Sequence, residues 1–161
     1  MKRAIFLAVI LTSIGTRCCE AEGLCPSDAK TLFLCTAEKS KKLISICEIG
    51  DSVQYRYGTA ASVELMLPET PSRDNVFVSK SLFAAGEEIG LGFTRGTYTY
   101  TLSNYFGGKP PSEFDHVRVT NGEKETADIR CSMDLPTEGS LSEIASSLEK
   151  KGFKVKQYSD T

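Results

Sequence analysis

The sequence predicts a mainly β fold: a single antiparallel β-sandwich or open barrel of about eight strands, with one helix near the C-terminus packed across it. Three observations carry that prediction. From residue 30 to residue 131, short apolar or alternating runs are punctuated by Gly, Pro or charged turns. Thr97-Tyr98-Thr99-Tyr100-Thr101-Leu102 alternates strictly, with the tyrosines and Leu102 on one face and the threonines on the other. Capped helical periodicity occurs only beyond Ser140.

Taken in order, Leu32-Phe33-Leu34-Cys35 is an apolar run suited to a buried strand. The polar stretch Glu38-Lys39-Ser40-Lys41-Lys42 then turns the chain into Leu43-Ile44-Ser45-Ile46-Cys47, completing a hairpin. Val53 to Tyr57, ended by Gly58, and Val63 to Leu67, ended by Pro68, are further short strands. Beyond the charged loop from Pro68 to Asn75, Val76 to Phe83 is extended, and Gly86, Gly90, Gly92 and Gly96 are expected to break the next region into short pieces. Val117-Arg118-Val119 leads into Asn121-Gly122, whose tolerance of positive φ suits a tight turn, and the return strand runs near Ala127 to Cys131. Ser140-Leu141-Ser142-Glu143 fits a capping box. Leu141, Ile144, Ala145 and Leu148 share one helical face, Lys150-Lys151-Gly152 closes the helix, and Phe153-Lys154-Val155-Lys156 alternates as a last short strand.

The N-terminus reads as an export signal. Met1-Lys2-Arg3 precedes an apolar core, Ala4 to Leu11, which is too short to span a bilayer that takes about 20 apolar residues. Small residues suited to cleavage occur at Gly15 and at Cys19-Glu20-Ala21. The second site gives a signal peptide of residues 1–21 and a single β-rich domain of residues 22–161. Arg17 beside Cys18 departs from the small-residue pattern of a lipidated cysteine. No second apolar run reaches membrane-spanning length. Without the leader, 16 basic residues stand against 20 acidic ones, which argues against nucleic acid or anionic membrane as a partner. A periplasmic or secreted location follows from the signal.

Four cysteines remain after that cleavage, Cys25, Cys35, Cys47 and Cys131, and an even number in an exported chain reads as two disulfides. No pair has the C-x₂₋₄-C spacing of a zinc site, and no metal or other cofactor is expected. With the hairpin turn centred on Ser40, Cys35 faces Ser45 and Cys47 faces Phe33, so their sulfurs are two residues out of line. A turn centred on Lys41 would bring the two cysteines face to face. On the Ser40 register the expected pairs are Cys25 with Cys47 and Cys35 with Cys131.

No catalytic constellation stands out. The only histidine, His116, sits at the start of a strand, where a surface role is the ordinary expectation, and no Gly-x-Ser-x-Gly element is present. Glu87-Glu88 and the acids around Glu123 and Glu125 fall in polar turns, where solvated charge is the ordinary expectation. The glycines from Gly86 to Gly96 lack the Gly-Lys-Ser/Thr end of a phosphate loop. Gln54-Tyr55-Arg56-Tyr57 and Asn104-Tyr105-Phe106-Gly107-Gly108 are the candidate recognition segments. Tyr55, Arg56, Tyr57, Tyr105 and Phe106 are their candidate binding residues, weighed against tyrosines that simply cover a core.

Cys25, Phe33-x-Cys35, Lys41-Lys42-Leu43-Ile44-Ser45-Ile46-Cys47, Gln54-Tyr55-Arg56-Tyr57-Gly58 and Glu64-Leu65, followed by Gly96-x-Tyr98-x-Tyr100, Val117-x-Val119, Asn121-Gly122 and Cys131, resemble a group of small uncharacterised exported (periplasmic) proteins of Gram-negative bacteria. The resemblance covers residues 25–131 and brings no activity with it. Periplasmic lysozyme inhibitors share the class of exported, β-rich, disulfide-bonded chain, but their paired Ser-Gly and Lys-Gly loop motifs are not found here. The functional expectation is a non-catalytic binding protein, an inhibitor or immunity-type partner of another exported protein. The alternative is an envelope carbohydrate hydrolase acting through paired carboxylates.

Overall fold

The computed structural model describes residues 23–110, 112–135 and 137–159; the expected signal peptide, residues 1–21, lies outside them. Four strands, β1 (Lys30–Thr36), β2 (Leu43–Ile49), β3 (Ser52–Thr59) and β4 (Ser62–Leu67), form an antiparallel sheet in sequence order. A second sheet has the order β10-β5-β6-β7-β8-β9, from β5 (Val76–Phe83), β6 (Gly86–Arg95), β7 (Tyr98–Gly107), β8 (Ser112–Asn121), β9 (Lys124–Arg130) and β10 (Lys154–Ser159). The helix α1 (Leu141–Lys150) precedes β10. The described residues therefore hold ten strands in a sandwich rather than about eight. The last pairs with β5 in parallel, a departure from the all-antiparallel expectation.

Alternation explains the core. Phe33, Ile44, Ile46, Val53, Tyr55 and Leu67 point inward from the small sheet and meet Val76, Val78, Leu91, Phe93, Leu102 and Val117 of the large one, each at most 1% exposed. Tyr55 crosses between the sheets, its ring 5.8 Å from that of Phe93 and 6.2 Å from that of Tyr100. Leu141, Ile144, Ala145 and Leu148 seal the same core from α1. Ser140 caps the helix, its hydroxyl accepting from the Glu143 amide at 3.4 Å, and Gly152 with φ +80° ends it.

The glycine-rich region contradicts the expectation of short pieces. β6 runs unbroken for ten residues. At Gly90 a Cβ would overlap the Leu102 carbonyl of β7, and at Gly92 it would overlap the Phe77 ring. Here glycine admits close neighbours rather than interrupting the strand.

The disulfides join Cys25 to Cys47 and Cys35 to Cys131, with Cα atoms 5.4 and 5.8 Å apart. The hairpin register differs from the one expected. Cys35 pairs with Ile44, Phe33 with Ile46 and, beyond a bulge, Thr31 with Cys47, so the turn is centred between Lys39 and Ser40. Lys41 closes it with φ +58°, its amide bonded to the Ala37 carbonyl at 2.9 Å. The Cys35–Cys131 bridge reinforces a corner where the two sheets touch: Glu38 and Ser132 amides donate to Arg130 and Thr36 carbonyls at 2.8 and 2.7 Å.

Candidate functional site

The six-stranded sheet outreaches what covers it. Val78, Leu91, Leu102 and Val117 are mutual cross-strand partners of β5, β6, β7 and β8, and all are fully buried. Two residues further along each strand, the row Lys80, Ile89, Asn104 and Asp115 is only half-buried. Two further still, Leu82, Glu87, Phe106 and Glu113 are exposed. Directly opposed residues share a face, so these rows are one continuous surface running out of the core.

This overhang carries two apolar residues with a carboxylate between them and further acids to one side. Leu82 is 64% and Phe106 50% exposed, flanking Glu87. Ile89 packs against the core beneath them. The Asn104 amide donates to Asp115 at 3.0 Å and to Glu113 at 3.2 Å, holding the two carboxylates side by side. Burial raises the Asp115 pKa, the Glu113 charge adds to that, and the Asn104 hydrogen bond opposes it. Lys80 is engaged by Glu149 of α1 at 2.6 Å. A cavity of about 420 Å³ opens beside Leu82, Glu87, Gln157 and Tyr158, and another of about 460 Å³ lies between the Asn104–Asp115 pair and the exposed Met133 and Leu135.

The candidate binding residues scatter over the molecule. Phe106 lies on the overhang. Tyr105, its neighbour in sequence, points to the opposite face, half-buried with its ring 5.0 Å from that of Phe114. Tyr55 is 1% exposed, a core residue that no partner can touch, which corrects its assignment to a recognition patch. Tyr57 is half-buried, its hydroxyl 3.0 Å from that of Ser40. Arg56 shares a face with Gln54, as the alternation requires, and is spent inside the fold: it donates to the Gln54 carboxamide at 2.7 Å and the Leu24 carbonyl at 2.9 Å. Glu87, expected in a polar turn, is an exposed residue of β6, and Leu82 was not singled out by sequence, although the alternation Val76, Val78, Lys80, Leu82 puts it on the core-facing side of its strand.

His116 is not at the start of its strand. It is the fifth residue of β8, 2% exposed, on the face turned away from the core. Its Nδ1 lies 2.7 Å from Asp128, and its Nε2, buried and without a hydrogen bond among the described residues, lies 3.5 Å from Glu88. Glu88, expected as a solvated turn residue, is instead a 6% exposed strand residue. It accepts from Arg118 at 2.7 Å and from Ser103 at 3.5 Å. Burial alone would depress the His116 pKa, but the two flanking carboxylates outweigh it and raise it. Burial pushes Glu88 up, while His116 and Arg118 more than offset this and hold it below the usual carboxylate range. The imidazole, buried between two carboxylates, ties β6, β8 and β9 together and presents no accessible nitrogen to a substrate.

No family model matches the chain, and no curated protein and no solved structure matches it either.

Proposed function

We propose that this protein is a non-catalytic binding protein of the periplasm or the extracellular space, an inhibitor or immunity-type partner of another exported protein. The observation that carries this is the overhang. A strand face that continues past the core leaves Leu82 and Phe106 exposed on either side of Glu87, and apolar side chains interleaved with charge on an open sheet face favour a protein partner. Two disulfides fit an oxidising compartment. The leader-like N-terminus and the resemblance to exported Gram-negative proteins support the same location.

The Asp115–Glu113 pair gives carbohydrate hydrolysis its one specific support. The two carboxylates bond a single Asn104 nitrogen, next to a cavity of about 460 Å³, and burial raises the Asp115 pKa. Both stand on one wall, on the same strand, whereas a glycosidase needs its two acids on either side of the scissile bond. The binding reading is therefore preferred.

The test is capture from an envelope or culture-fluid fraction, followed by calorimetry with the purified partner. A saturable 1:1 complex supports the proposal. Failure to form any saturable complex, or turnover of peptidoglycan that Glu113→Gln abolishes, overturns it.

A further inference from the structure

Resting on that binding role, we propose that the overhanging face of the six-stranded sheet docks a basic segment of the partner in which a Lys or Arg is flanked by apolar side chains. The rows past the core offer two apolar contacts, Leu82 and Phe106, two strand spacings or about 10 Å apart, with the Glu87 carboxylate on the strand between them. Glu113 and Asp115 continue the acidic side on the next strand. Lys80, the one cation of these rows, is neutralised by Glu149, so the surface meets its partner with uncompensated negative charge.

The alternatives fit less well. A second copy of this chain would bring the same acids against themselves, and like charges facing across an interface cost several kcal/mol. An acidic or uncharged apolar segment would leave Glu87 desolvated without a partner. A cation placed over Glu87, with an apolar side chain to either side, meets all three groups at once. One cavity leaves room for a side chain beside Leu82 and Glu87, and the other for one beside Glu113 and Asp115.

The probes are capped heptapeptides: Ser-Leu-Ser-Arg-Ser-Leu-Ser, the same peptide with Glu for Arg, and the same peptide with Ser for both Leu. Each is titrated into the full mature chain and followed by amide chemical shifts. The first should bind with shifts confined to residues near Leu82, Glu87, Ile89 and Phe106, and the other two at least tenfold more weakly. Phe106→Ser and the double variant Glu87→Gln/Glu113→Gln should each weaken the first peptide about tenfold. These side chains are exposed, so both variants should keep the wild-type spectrum and thermal midpoint. Equal binding of the Glu peptide, shifts centred elsewhere, or no shift at about 5 mM peptide overturns the assignment. A partner captured from the envelope that binds the Phe106→Ser variant unchanged would leave the binding role standing and refute this surface.

Discussion

Replacing Glu88 with Gln tests whether the buried charge network holds the sheet together. The substitution keeps the shape of a 6% exposed side chain and removes the charge that faces both Arg118 at 2.7 Å and His116 at 3.5 Å. Breaking a fully buried ion pair costs about 3–5 kcal/mol, but Arg118 is a third exposed and can recover solvent, so about 2 kcal/mol is expected here. For a domain of this size that lowers the midpoint of thermal unfolding by about 6–8 °C, measured at pH 6 on the disulfide-intact protein. The pH dependence identifies the cause. His116 has its folded pKa raised, so its contribution is fully present below the unfolded value of about 6.5 and is lost as pH rises through the folded value. Glu88 has its folded pKa lowered, so its contribution is present above the unfolded value of about 4.3 and is lost as pH falls through the folded one. Wild-type stability should therefore be greatest in the mildly acidic range between those values and decline toward pH 8–9, and the Gln variant should show a flatter decline. A variant within 0.5 kcal/mol of wild type, with an unchanged slope above pH 6, would refute the account.

Further measurements probe the frame that positions the overhang. Converting Cys35 and Cys131 together to Ala opens a bridge spanning 96 residues and should cost about 4–5 kcal/mol in urea unfolding, against about 3 for the Cys25–Cys47 pair, which spans 22. The reverse order would show that chain entropy does not dominate. Gly92→Ala forces the Phe77 ring out of its place and should destabilise by about 1–3 kcal/mol, so an unchanged midpoint would mean that the ring yields freely. Ser140→Ala removes the cap from α1 and should cost about 1 kcal/mol, read as the same loss in thermal or urea unfolding; no loss would mean that Ser142 takes over the role.

Where the sequence was legible, local pattern and tertiary environment agreed. The Ser140 cap, the helical stripe from Leu141 to Leu148 and the alternation of Tyr98 to Leu102 all lie where their periods place them. The misreadings share one physical cause: a group was judged by its neighbours in sequence when its neighbours across the sheet decide its state. Gly90 and Gly92 read as breaks because what fills the space beside them, the Leu102 carbonyl and the Phe77 ring, arrives from β7 and β5. Glu88 and His116 read as solvated because the groups that hold them come from other strands: Arg118 and Ser103 reach Glu88 from β8 and β7, and Asp128 reaches His116 from β9. A usable signal was nonetheless present. Once Val117 and Val119 are assigned to the core, His116 and Arg118 must share the opposite face, and the turn near Gly122 returns Asp128 beside them. The same logic reaches the overhang: extending the core-facing alternation of β5 and β7 by one step past Lys80 and Asn104 arrives at Leu82 and Phe106. The register that brings those two together around Glu87 depends on strand pairing over the whole length of β6. A reading that expected β6 to be broken could find Phe106 but not the surface it belongs to.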